Sequence, residues 1–118
     1  MKENVIKNKN FAFALKIVKS YKFLQENKKL VLSKQILRSG TSIGAMVRET
    51  EHAESKADFI HKMAIAQKEA NETRYWLELL SQSGFLETNM LDSVESELIE
   101  NQKLLSSIII SSKSGVKS

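Results

Sequence analysis

The side chains able to do chemistry fall into three groups. Glu49 and His52 are three residues apart, as are Asp58 and His61. An acid-x-x-His pair on each of two helices is the spacing that di-iron bundles use to hold their metals. Such a site needs both pairs inside the bundle with two further inward carboxylates. Here the pairs flank a turn near residues 53–57, which places them at the surface, so no metal or cofactor is expected. Glu69 and Glu72 form the second group, on a line with Ile65 and Trp76 at the edge of the core. Paired carboxylates can exchange protons with a substrate. They can equally form a cross-helix ion pair with Arg38 or Arg48 that fixes helix register. The pairs Lys68–Glu72 and Arg74–Glu78 are also available at one-turn spacing. The sequence contains no cysteine, no glycine-rich phosphate loop and no His-paired nucleophile, so no catalytic residue is assigned and a non-enzyme is expected.

The third group is basic. At ~100° per residue, Lys34, Arg38 and Arg48 share a stripe with Thr41, Ala45 and His52, opposite an apolar seam. Lys9, Lys16 and Lys19 lie near one another on the preceding helix. If the two helices are neighbours, Lys9, Lys16, Lys34, Arg38 and Arg48 make a candidate face for the phosphates of RNA or DNA, with affinity that falls as salt rises. The alternatives are an ordinary solvated face, or contacts with the acidic half of a neighbouring subunit. Only Tyr21 interleaves with these cations, so base stacking has little support. The net charge of +4 conceals a split. Residues 1–27 carry +4 and residues 28–53 carry +3, whereas residues 54–84 carry −1 and residues 85–118 carry −2. Such asymmetry suits one binding face, or a molecule that stacks on its copies.

Helices must position these groups. The 118 residues suffice for one domain, and the absence of proline with only four glycines argues against turn-rich β folds. Four helical segments are expected, at about residues 5–26, 30–52, 56–83 and 89–111, with a frayed tail at 112–118. In the first, Phe11, Leu15 and Val18 recur at helical spacing, and Phe13, Ile17 and Leu24 widen the apolar surface. In the second, Ile36, Gly40, Ile43 and Val47 form a seam, with Gly40 and Gly44 read as points of close helix approach. Ser55 with Asp58 resembles a capping box that opens the third. Its seam is Phe59, Met63, Ala66, Ala70, Thr73, Leu77 and Leu80, and Ser83-Gly84 ends it. The fourth starts at Thr88 or Asn89 and lines up Leu91, Val94, Leu98, Asn101, Leu105 and Ile108. Long segments with short breaks predict an all-α, antiparallel up-down-up-down four-helix bundle. The alternative is a longer hairpin that completes a bundle by dimerising. Residues 1–10 lack an apolar stretch, and no run approaches the ~18 apolar residues of a membrane span, so a cytoplasmic protein is expected.

The run Ser33-Lys34-Gln35-Ile36-Leu37-Arg38-Ser39-Gly40-Thr41-Ser42-Ile43-Gly44-Ala45 resembles the hallmark stretch of the four helix bundle protein family. These proteins are encoded by intervening sequences of bacterial 23S ribosomal RNA genes. Ala12-Phe13-Ala14, the stretch from Asp58 to Ala66 and the stretch from Lys68 to Leu77 match the same pattern. The family often has Asn where Met46 stands here, so a polar contact would be missing. The resemblance implies an up-down bundle that assembles into homo-oligomeric rings, pentamers above all. It also implies kinship with the accessory protein of diversity-generating retroelements, which works with a reverse transcriptase and nucleic acid. It implies no catalytic residue. Arg38, Ser39 and Gly40 match the motif, with helix packing or ligand binding as their open roles.

Overall fold

The computed structural model describes residues 2–26, 30–82 and 88–114. Helix α1 spans Lys2–Glu26 and α2 spans Leu30–Glu49, followed by a 3-10 turn over Thr50–His52. Helix α3 spans Lys56–Gln82 and α4 spans Thr88–Lys113. Each helix packs on the next and α4 returns to α1, while the backbones of the diagonal pairs α1/α3 and α2/α4 do not come close among the described residues. The result is the antiparallel four-helix bundle, 46 × 20 × 19 Å. Its long axis agrees with helices of ~25 residues rising ~1.5 Å each.

The element limits move slightly. The α-helical part of α2 ends at Glu49 rather than 52, because Thr50 turns its hydroxyl back onto the Val47 carbonyl at 2.5 Å and the chain tightens. Helix α4 runs two residues past the expected end at 111, and Ser114 N–H still donates to the Ile110 carbonyl. The break at residues 27–29, the stop at Ser83-Gly84 and the tail from residue 115 lie outside the described residues.

Helix α3 begins as its sequence predicts. Asp58 N–H donates to Ser55 Oγ at 3.0 Å, and Glu54 N–H donates to Asp58 Oδ2 at 3.1 Å. Donors at the helix start, which have no intrahelical acceptor, are thereby satisfied in both directions. Lys62 adds two hydrogen bonds to the same carboxylate, at 2.8 and 2.9 Å.

The core follows the seams of α2, α3 and α4. Ile36, Gly40, Ile43 and Val47 are buried, as are Met63, Ala66, Ala70, Thr73, Leu77 and Leu80, and Val94, Leu98, Asn101, Leu105 and Ile108. Each fully buried large aliphatic side chain contributes about 1.5–3 kcal/mol from its removal from water. Met46 packs partly against this core. The first helix departs from expectation. Its buried stripe is Ile6, Phe13, Ile17 and Leu24, whereas Phe11, Leu15 and Val18 remain 52%, 49% and 39% exposed. The two sets do not form one broad face. Leu15 and Ile17 are two residues apart, about 200° around the helix, so they lie on opposite sides.

Gly40 and Gly44 are points of close approach, as expected, and α2 continues unbroken through both. A Cβ at Gly40 would lie 2.8 Å from Ile17 Cγ1, and one at Gly44 would lie 3.4 Å from Asn10 Cβ. Two polar contacts cross the core. Thr73 Oγ1 donates to Ser39 Oγ at 2.8 Å, and Ser39 donates in turn to the Gln35 carbonyl at 2.9 Å. Asn10 Nδ2 donates to Asn101 Oδ1, and Asn101 Nδ2 donates to the Glu97 carbonyl at 2.8 Å. Asn10 Oδ1 is buried without a hydrogen-bond partner.

Candidate functional site

The five cations of the expected nucleic-acid face do not come together. Lys9 pairs with Glu100, and Lys16 lies 2.9 Å from both Glu97 Oε1 and Ser93 Oγ, so both point along the α1/α4 edge. Arg38 reaches the other way, across α2/α3, with Nη1 3.1 Å from Glu69 Oε2 and Nη2 on Glu72. Arg48 sits at the α1/α2 edge, its guanidinium 5.2 Å from the centre of the Phe11 ring. Lys34 is exposed on α2. Among the described residues, neither Lys34 nor Arg48 forms an ion pair, although the Arg48 charge adds to that of Lys7 in favouring ionised Glu51. The charge split is thus partly neutralised inside one chain, since basic α1 and α2 pack on acidic α4 and α3. A sequence tally by helix could not show this, because it omits which helices adjoin.

Residues Arg38 to Gly44 are accounted for by helix packing. Arg38 and Ser39 bind α3, Gly40 and Gly44 admit α1, and Ile43 fills the core. Ser42 donates to the Arg38 carbonyl within its own helix at 2.6 Å. Glu69 and Glu72 form the cross-helix pair with Arg38, and Trp76 Nε1 also donates to Glu72 Oε2 at 3.1 Å. This captures Glu72, and the alternative Lys68–Glu72 pair does not form, whereas Arg74–Glu78 does, at 3.1 Å. Glu49, His52 and His61 are exposed, and Asp58 is bound to Lys62 and the α3 cap. Among the described residues no three His, Asp or Glu side chains are grouped to hold a metal. Two carboxylates are held below their ordinary range: Glu51 by the hydrogen bond from Lys7, and Asp58 by that from Lys62 and by Glu54 N–H.

The surface features that remain are apolar. Phe11, Leu15 and Val18 line the outside of α1, and a groove beside them is walled by Phe11, Thr41 and Arg48 over Ala14, Gly44 and Ala45. On the diagonal helix, Tyr75 is 58% and Leu79 42% exposed. The Tyr75 ring stands edge-on against Trp76 with centroids 5.1 Å apart, a favourable aromatic geometry. A wider groove of about 680 Å³ runs between α3 and α4. Its polar walls are largely satisfied internally, Gln67 on Ser106 and Gln102 on Asn71. The structure separates the α1 stripe from Phe13, Ile17 and Leu24, with which the sequence places it on one broad apolar face. The signal against that was angular: two apolar triplets on opposite sides of a helix cannot both face one core.

No helix among the described residues is long and apolar enough to cross a membrane. Residues 2–107 match the model of the family described as 23S rRNA-intervening sequence protein. Among curated proteins there is no match. A solved structure is 55% identical, with a TM-score of 0.89, covering 92% of this chain and 98% of its own. It is that of a protein with unknown function from the S23 ribosomal protein family of Bacteroides thetaiotaomicron VPI-5482. Neither description names a catalytic activity.

Proposed function

The chain belongs to the 23S rRNA-intervening sequence protein family, and from that premise we propose that it is a non-enzymatic, cytoplasmic assembly protein that works as a homo-oligomeric ring. The observation that carries this is the outer stripe of α1. Three large apolar side chains in consecutive turns, Phe11, Leu15 and Val18, face water beside a groove with a small-residue floor. Single exposed hydrophobes are ordinary, but a contiguous apolar strip on a soluble domain marks an interface. Arg48 over Phe11 gives that strip a polar rim, as interfaces have. Light scattering tests the proposal. The mass should be a multiple of the 13.4 kDa chain, and a mass of one chain at micromolar concentration overturns it.

A second reading keeps the anionic partner. It is supported by Lys34 and Arg48, which form no ion pair among the described residues. Structured RNA or DNA would then bind weakly through Lys34 and Arg48, with Lys9, Lys16 and Arg38 contributing only by leaving their present acids. Because only unpaired cations release counterions at full effect, the salt slope should be shallow, near two phosphates' worth. A titration of duplex RNA and duplex DNA from 50 to 200 mM salt measures it, and absence of binding at 50 mM salt ends this reading.

A further inference from the structure

The geometry points to a head-to-tail contact in which the outer stripe of α1 in one copy receives the Tyr75/Leu79 patch of α3 from the next. This rests on the self-association proposed above and says which two surfaces meet. Four observations lead to it. The two patches are unlike: the α1 stripe runs about two turns from Phe11 through Leu15 to Val18, whereas the α3 patch is Tyr75, edge-on to Trp76, with Leu79 one turn on. They lie exposed on diagonal helices whose backbones do not come close, so one molecule does not cover its own patches. They lie at the same height. Helix α4 is the ruler: Gln102 meets Asn71, so Glu97, five residues earlier, is level with the turn at Tyr75, and Glu97 also meets Lys16.

Their charges are complementary. Lys19 and Lys22 flank the α1 stripe, and no carboxylate among the described residues pairs with either. Glu78 flanks the α3 patch but is already shared with Arg74 one turn before it, so the free negative charge is that of Glu95, which forms no ion pair among the described residues and, seven residues before Gln102, lies on the α3-facing side of α4 at the same end. Contact between like patches would set Lys19 and Lys22 against their own copies, which is unfavourable, whereas unlike patches meet with opposite sign. A contact between unlike patches is heterologous, so each copy keeps one free face until a ring closes.

Two exposed substitutions test this, with circular dichroism to confirm that each variant stays helical. Leu15→Glu disables the α1 stripe and opposes Glu95, while Leu79→Lys disables the α3 patch and opposes Lys19 and Lys22. Each variant alone should fall to the mass of one chain. Mixed one to one, they should form a heavier species, because each retains the face that the other lacks. Two results overturn the inference and leave self-association standing: Leu79→Lys keeping the wild-type mass, or a mixture that stays at one chain. A wild-type protein that is itself monomeric overturns both.

Discussion

Gly40 of α2 lies against Ile17 of α1 so closely that a Cβ on Gly40 would come within 2.8 Å of Cγ1 and 3.0 Å of Cγ2. Ile17 is β-branched and fully buried, so it has little freedom to turn away. Gly40→Ala should therefore lose about 1–2 kcal/mol, an overpacking cost that exceeds the ~1 kcal/mol gained from helix propensity. At Gly44 the nearest atom, Asn10 Cβ, is 3.4 Å away, an ordinary contact. Gly44→Ala should gain about 0.5–1 kcal/mol by propensity alone. Urea unfolding of both variants measures this, and shifts of the same sign would contradict it.

The Ser39–Thr73 contact should be measurable as a coupling. Thr73→Val removes the donor and Ser39→Ala the acceptor of a fully buried hydrogen bond. A double-mutant cycle should give about 1 kcal/mol of interaction, the usual net value for such a bond. A coupling near zero would show that the two hydroxyls are satisfied by their own helices alone.

The Asn10–Asn101 pair should behave asymmetrically. Asn101→Leu leaves the buried Asn10 amide without its acceptor, at a cost of about 1–3 kcal/mol. The double variant Asn10→Leu/Asn101→Leu removes both polar groups and should recover most of that loss. Thermal melts would decide, and a double variant less stable than the sum of the singles would refute the expectation.

Acid should weaken the α2/α3 corner first. Asp58 and Glu51 are held below their ordinary pKa in the folded state, by Lys62 with Glu54 N–H and by Lys7 respectively. Their contribution is present above about pH 4 and is lost as pH falls through the lower folded values. Lys62 is shifted upward by Asp58, so its share is complete at neutral pH and is lost only at strongly alkaline pH. The melting temperatures of the wild type and of Asp58→Asn should differ at pH 7 and converge by about pH 2. A gap that stays constant with pH would assign Asp58 no electrostatic role. Ser55→Ala, which removes the uncharged half of the same cap, should cost about 1 kcal/mol at any pH.

Much of the fold was legible because helices impose a period. The α3 seam from Met63 to Leu80, the α2 seam through Gly40 and the α4 seam through Asn101 all became core, and Ser55 with Asp58 became the cap. These features depend on neighbours within one helix, which the chain order supplies directly. The site was less legible. Helical spacing groups Phe11, Leu15 and Val18 but does not say which stripe turns inward, and in the bundle Phe13, Ile17 and Leu24 fill the core while the first three face water. Charge counting likewise located the cations without their partners. Only packing brings Lys9 to Glu100 and Lys16 to Glu97, because those contacts join the first and last helices, whereas the pairing of Glu69 with Arg38 on the neighbouring helix was among the sequence's alternatives. The sequence by itself determined four helices and their order. The tertiary structure decided which apolar stripe faces water and which charges are already answered, because both depend on how helices adjoin across the bundle.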